Sequence, residues 1–81
     1  MDVKVLGTGC AKCKKLYEAA EKGVAEAGVD VNLIKIEKLD EIMAYAVMMT
    51  PALVVNEEVK STGRIPPTSE IAAWIKDAAA R

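Results

Sequence analysis

The 81-residue chain is 52% hydrophobic and 28% charged, which suits one domain with a single modest core. Eleven basic against twelve acidic residues leave a net charge of −1, excluding the basic footprint of a nucleic-acid binder and a polybasic membrane anchor. Histidine is absent, so Cys-His and Ser-His-Asp catalysis and mixed Cys/His zinc sites are excluded too, and any chemistry rests on the thiols of Cys10 and Cys13.

In chain order, residues 3–6 form a short apolar run ending at Gly7 and read as a first strand. From Ala11 to Ala27 the period becomes helical. Leu16, Ala20, Val24 and Ala27 share one face, Glu18, Lys22 and Glu26 lie on another at i,i+4 spacing, and Gly28 is placed to end the helix. Val31, Leu33, Ile34 and Ile36 mark a second strand. A second helix is expected over residues 39–47, with Leu39, Ile42, Met43 and Ala46 inward. Residues 51–55, "PALVV", read as a third strand, and Asn56-Glu57 as the hairpin turn into a fourth over residues 59–62. Gly63, Pro66 and Pro67 interrupt the chain before a last helix, capped by Thr68 and buried through Ile71, Trp74, Ile75 and Ala78. The order β-α-β-α-β-β-α implies an α/β domain spanning residues 1–81. Its opening crossover is parallel and its closing hairpin antiparallel, giving a mixed four-stranded sheet with helices on both faces.

The opening "MDVKVLGTG" shows no charged stretch followed by an apolar one, and the longest apolar run, residues 44–49, is far shorter than a membrane span. A cytoplasmic location is the resulting expectation. There, a closely spaced cysteine pair is more often catalytic or metal-binding than a permanent staple. With the helix starting near Cys10, Cys13 follows one turn later on the same side, at a Cα separation within the roughly 4.4–6.8 Å that a disulfide requires. The helix N-terminus favours thiolate at Cys10, and thiolate is the attacking species in disulfide exchange. Lys12, Lys14 and Lys15 crowd that first turn, where each cation costs about 0.3 kcal/mol or more. They read either as a field that supports the thiolate or as a solvated basic face. Gly7 and Gly9 suggest a nucleotide loop, but Lys12 stands where the third glycine of G-x-G-x-x-G belongs. The glycines instead suit a tight turn that exposes Cys10.

A strand, "GTGCAKC" at a helix start, Thr50-Pro51 opening a later strand in "TPALVV", and "GRIP" before the last helix together resemble the thioredoxin fold in its minimal form. They are most similar to the small thioredoxin-like redox-active disulfide proteins. The resemblance covers essentially the whole chain. It implies a thiol–disulfide oxidoreductase, with Cys10 attacking and Cys13, more buried, resolving. It also implies a cis bond at Pro51, with Thr50 offering its backbone to an extended substrate and Met49, beside Met48, adding apolar contact. The dipeptide Ala11-Lys12 would tune the thiolate. Implied partners are protein disulfides and a disulfide reductase resembling thioredoxin reductase, and no cofactor is needed beyond a reversible Cys10–Cys13 disulfide. There are departures. Larger thioredoxins have Trp before the first cysteine and Gly-Pro between the two, where this chain has Gly9 and Ala11-Lys12. Their buried acid six residues upstream is replaced by Lys4. In "STGRIPPTSE" a single Gly63 followed by Arg64 stands where a glutathione-binding relative has two glycines and an Asp.

Two other readings use the same cysteines. Copper and zinc chaperone domains also place C-x-x-C after a first strand, and two thiolates can hold Cu(I). However, Thr8 occupies the position where they carry Met, and they end on a strand. Met43, Met48 and Met49 are soft ligands on that reading and core filler otherwise. A dithiol without turnover would be a passive redox sensor.

Overall fold

The structure, a computed structural model, describes residues 1–9 and 11–80; Cys10, expected from the sequence to be the attacking cysteine, lies outside them. Four strands, β1 (Asp2–Leu6), β2 (Asn32–Ile36), β3 (Ala52–Val55) and β4 (Glu58–Thr62), form one sheet in the order β2-β1-β3-β4. β1 and β2 run parallel, joined by α1 (Ala11–Ala27), while β3 is antiparallel to both β1 and β4. This is the mixed sheet of a minimal thioredoxin fold.

Strand alternation divides the core in two. Val3, Val5, Leu53 and Val55 face α1 and α3 (Thr68–Ala79), where they bury against Leu16, Ala20, Ile71 and Ile75. Leu6, Ala52 and Val54 face the other way and meet Ile42 of α2 (Leu39–Ala44). Every residue of β3 is buried, as a strand covered on both faces requires. The two helices on the larger core pack closely enough that a Cβ on Gly23 would come within 2.6 Å of Ile71 Cγ2. Gly28 adopts φ +66° and ends α1, donating its N–H to the Val24 carbonyl. Asn56 and Glu57, both left-handed, make the tight β3–β4 turn.

Two local expectations are corrected. The second helix stops at Ala44, not residue 47, and of its four expected inward residues only Ile42 is buried; Leu39 is 66% exposed, Met43 64%, and Ala46 is exposed. Its last turn tightens through bonds from the Tyr45 and Ala46 N–H groups to the Ile42 and Met43 carbonyls, and Ala46 then turns left-handed at φ +58°. A helix this short reaches the sheet with one side chain. At the last helix, Pro67 is the N-cap and Thr68 the first helical residue, with no side-chain cap. The Pro67 carbonyl accepts from the Glu70 and Ile71 N–H groups instead.

Ala46 is exposed, and a left-handed conformation costs a residue with a Cβ about 1 kcal/mol. Ala46→Gly is therefore expected to stabilise the fold by about 0.5–1 kcal/mol, read as a raised urea midpoint at unchanged slope. A lowered midpoint would contradict that conformation.

Candidate functional site

The site forms where the carboxyl end of β1 meets the start of α1 and the entry to β3. Gly7 follows β1 and is fixed by donating its N–H to the Ile36 carbonyl at 2.9 Å. Leu6 pairs with Ala52, which sets Gly7 beside Pro51, the residue before Ala52. Cys13 projects from the first turn of α1 into the same corner and is only 6% exposed. The three fit without a spare atom between them. A Cβ added to Gly7 would overlap Cys13 Sγ, lie 3.2 Å from Cys13 Cβ, and stand 4.0 Å from Pro51 Cα. Gly7 is therefore required for space. Gly9, at φ +87°, is the glycine that serves the turn.

The Thr50–Pro51 peptide bond is cis. Pro51 is buried, and its carbonyl accepts the Gly63 N–H at 2.8 Å. Gly63, itself left-handed at φ +68°, packs under Met49: a Cβ there would stand 3.0 Å from Met49 Cε. Thr50 and Met49 line the exposed side of this junction, Met49 at 62% exposure and Met48 at 96%. The fold thus brings Cys13 and Pro51 to one corner, with Thr50 preceding Pro51 in the chain and Met49 packed against Gly63. Ala11 and Lys12 are exposed at the helix start, with Lys14 and Lys15 nearby and no acidic residue in the first turn of α1. Among the described residues, no three His, Cys, Asp or Glu side chains stand close enough to hold a metal ion, and no helix is long and apolar enough to cross a membrane.

Lys4, at the position of the missing acid, is not part of this corner. It projects to the α2 face, where its Nζ donates to Tyr45 Oη at 2.6 Å and Glu57 Oε1 at 2.7 Å. The bond to Glu57, then that to Tyr45, raise the Lys4 pKa above the ordinary lysine range against an opposing desolvation effect. A raised folded-state pKa means that the stabilisation is complete below the ordinary lysine pKa. It fades as pH climbs toward the raised value, because the unfolded chain releases its proton first. The melting-temperature margin of wild type over Lys4→Met should accordingly be flat from neutral to mildly alkaline pH and narrow only in strongly alkaline buffer. A margin that narrows near neutral pH would contradict this assignment.

Sequence reasoning passed over a cleft of about 250 Å³ beside Cys13, at the carboxyl ends of β1 and β2. Val5 and Gly7 back it, while Lys14, Lys35 and Glu37 bring charge to it. The alternating strand pattern could have placed Lys35 on the α1 side, since Val5 and Lys35 are register partners.

The family profile described as a thioredoxin domain matches residues 1–76. A protein of Methanothermobacter thermautotrophicus named thioredoxin is 37% identical over 71 residues, spanning 88% of this chain and 92% of its own. A protein of Methanocaldococcus jannaschii with the same name is 34% identical over 74 residues, spanning 91% of this chain and 85% of its own.

Proposed function

The chain belongs to the thioredoxin family, and on that premise we propose that it is a thiol–disulfide oxidoreductase acting on protein disulfides through Cys10 and Cys13. The observation that carries this reading is the corner in which the Cys13 side chain, Gly7 and Pro51 meet. A buried sulfur is held there beside an exposed strip of backbone that a substrate can lie along.

In this reading the Cys10 thiolate attacks a substrate disulfide and one substrate sulfur leaves as thiolate, giving a mixed disulfide on Cys10. Cys13 then attacks Cys10 Sγ, the second substrate sulfur leaves, and the protein ends with a Cys10–Cys13 disulfide. Two electrons have passed to the substrate. Thr50 presents its backbone to the substrate segment, Pro51 shapes the contact beside Cys13, and Met49 contributes apolar surface. Ala11 and Lys12 separate the two sulfurs, and the Lys12 charge favours the thiolate. A disulfide reductase returns the protein to the dithiol, no cofactor takes part, and the work is done in the cytoplasm.

The test is a redox titration of metal-free protein in dithiothreitol buffers, with thiols counted by alkylation and mass. A two-electron transition between two and no free thiols, at a potential within about −270 to −120 mV, is the expected result. Thiols that never close into an intramolecular disulfide would overturn the assignment.

A further inference from the structure

The charges of α1 run against its own dipole. Its first turn holds no acidic residue and its last turn no basic one. Lys12, Lys14 and Lys15 stand at the start, where the N–H groups of the helix end already make the potential positive, and Glu26 stands in the last turn. The other helices follow the dipole: Asp40 and Glu41 open α2, Glu70 lies in the first turn of α3, and Lys76 lies in its last. Neighbours on α1 do not relieve the conflict. Lys12 and Lys15 are like charges at i,i+3. Among the described residues none of the three lysines forms an ion pair, even with Glu18, one turn beyond Lys14.

A fourth cation joins them from another element. Lys35 of β2 is exposed, and its Nζ stands 4.6 Å from the centre of the Tyr17 ring, a cation–π contact that holds it on the α1 side. With Lys14 it lines the cleft beside Cys13, where Glu37 is the only carboxylate among the described residues. The acids that open α2 belong to the helix on the opposite face of the sheet. Four exposed cations against one carboxylate therefore stand on the α1 side of the Cys13 corner, in a chain whose net charge is −1. The other rim, at Met48 and Met49, is exposed and uncharged. A positive field that opposes the helix dipole has a use when a partner supplies the counter-charge.

We propose that the protein substrates present their disulfide beside Asp or Glu side chains, which dock on Lys12, Lys14, Lys15 and Lys35 while the cysteine segment lies along Thr50 and Pro51. The proposal rests on the thiol–disulfide reading above and names the substrate class for it; the exchange steps are those already given. The lysines act before the chemistry. Opposite charge across the contact raises the rate of productive encounter, and like charge lowers it. Disulfides flanked by basic residues are correspondingly poor substrates, and the selection weakens as salt screens the charges.

The test uses the full-length reduced protein and three peptide disulfides, each a homodimer of one short peptide whose cysteine is flanked by Glu, by Gln or by Lys. Each rate is divided by the rate of dithiothreitol on the same peptide, so that the peptide's own reactivity cancels. At about 0.02 M ionic strength the Glu peptide should react about fivefold or more faster than the Lys peptide, with the Gln peptide between them. The ratio should shrink toward one at about 0.5 M, where the screening length is roughly 4 Å. In the Lys14→Gln, Lys15→Gln double variant the ratio should fall about twofold or more. Both peptides meet the same dithiol in that variant, so any change in the Cys10 thiolate drops out of the ratio. Lys22→Gln with Lys76→Gln makes the same change in net charge farther along α1 and at the end of α3, and should keep the wild-type ratio; all four lysines are exposed, so both variants keep their core. Equal normalised rates for the three peptides, an unchanged ratio in the first variant, or the same loss in both variants would overturn the proposal. If the three peptides are reduced equally, only the docking assignment falls. If dithiothreitol reduces all three and the protein none, the thiol–disulfide reading falls with it.

Discussion

Replacing Cys13 by Ser is expected to stop turnover of protein disulfides and to leave substrates bound to Cys10 as mixed disulfides. The buried sulfur is held in a corner against Gly7. An attacking group fixed near its target has an effective concentration far above that of any free thiol, and a hydroxyl in its place does not attack a disulfide. Loss of the intramolecular step should lower turnover on the order of 100-fold or more. Non-reducing electrophoresis of Cys13→Ser with a disulfide-containing protein reads the trapped species directly. Trapping by Cys10→Ser and not by Cys13→Ser would reverse the two roles. The fold itself should tolerate the change, because Ser fills nearly the same space.

Gly7→Ala should cost both stability and redox function. The added methyl meets Cys13 Sγ and Cβ, and neither can step aside: Cys13 is fixed by the packing of α1, and the Pro51 backbone closes the other side at 4.0 Å. Relief requires α1 to shift outward, pulling its own Leu16 and Ala20, whose side chains are fully buried, away from the sheet. Overpacking of this kind costs about 1–3 kcal/mol, measurable as a lowered urea midpoint. The same shift moves Cys13, so the potential measured in dithiothreitol buffers should change as well. A variant with unchanged midpoint and potential would show that α1 yields freely, and Gly7 would then be dispensable. Gly9→Ala is the informative comparison, since its penalty arises from φ +87° in the backbone and not from contact with Cys13.

The parts of the fold legible in the sequence are those in which local pattern and global packing agree. α1 runs over the expected residues because Leu16 and Ala20 repeat at a helical interval and Gly28 terminates it. Asn56-Glu57 turns where expected because both residues take the left-handed conformation that lets β3 pair antiparallel with β4. The second helix was misread because its apolar residues fit a helical period over nine positions, and periodicity carries no information about how far a helix can remain docked. Met43 satisfies the pattern and still stands in solvent. The site was legible as residue types, since C-x-x-C and Thr-Pro are local. Its tightest constraint was not, because the reason for Gly7 lies in Cys13 and Pro51, six and forty-four positions away. The neighbours of Lys4 were hidden for the same cause: Tyr45 and Glu57 reach it only once β1 and β3 are paired.

The strand order β2-β1-β3-β4 gives the molecule a seam. The first half, β1-α1-β2, and the last, β3-β4-α3, touch along β1 against β3 and α1 against α3, while α2 joins them and buries one side chain of its own. Cys13 belongs to one half and Pro51 to the other, and Gly7 lies on the line between them. Neither half alone contains the corner. A chain cleaved in the exposed stretch at Met48 and Met49 would become two fragments, each carrying an incomplete reaction centre. Recovery of disulfide exchange on mixing them would then count reassembled molecules one by one, which makes the fold a natural scaffold for a split reporter.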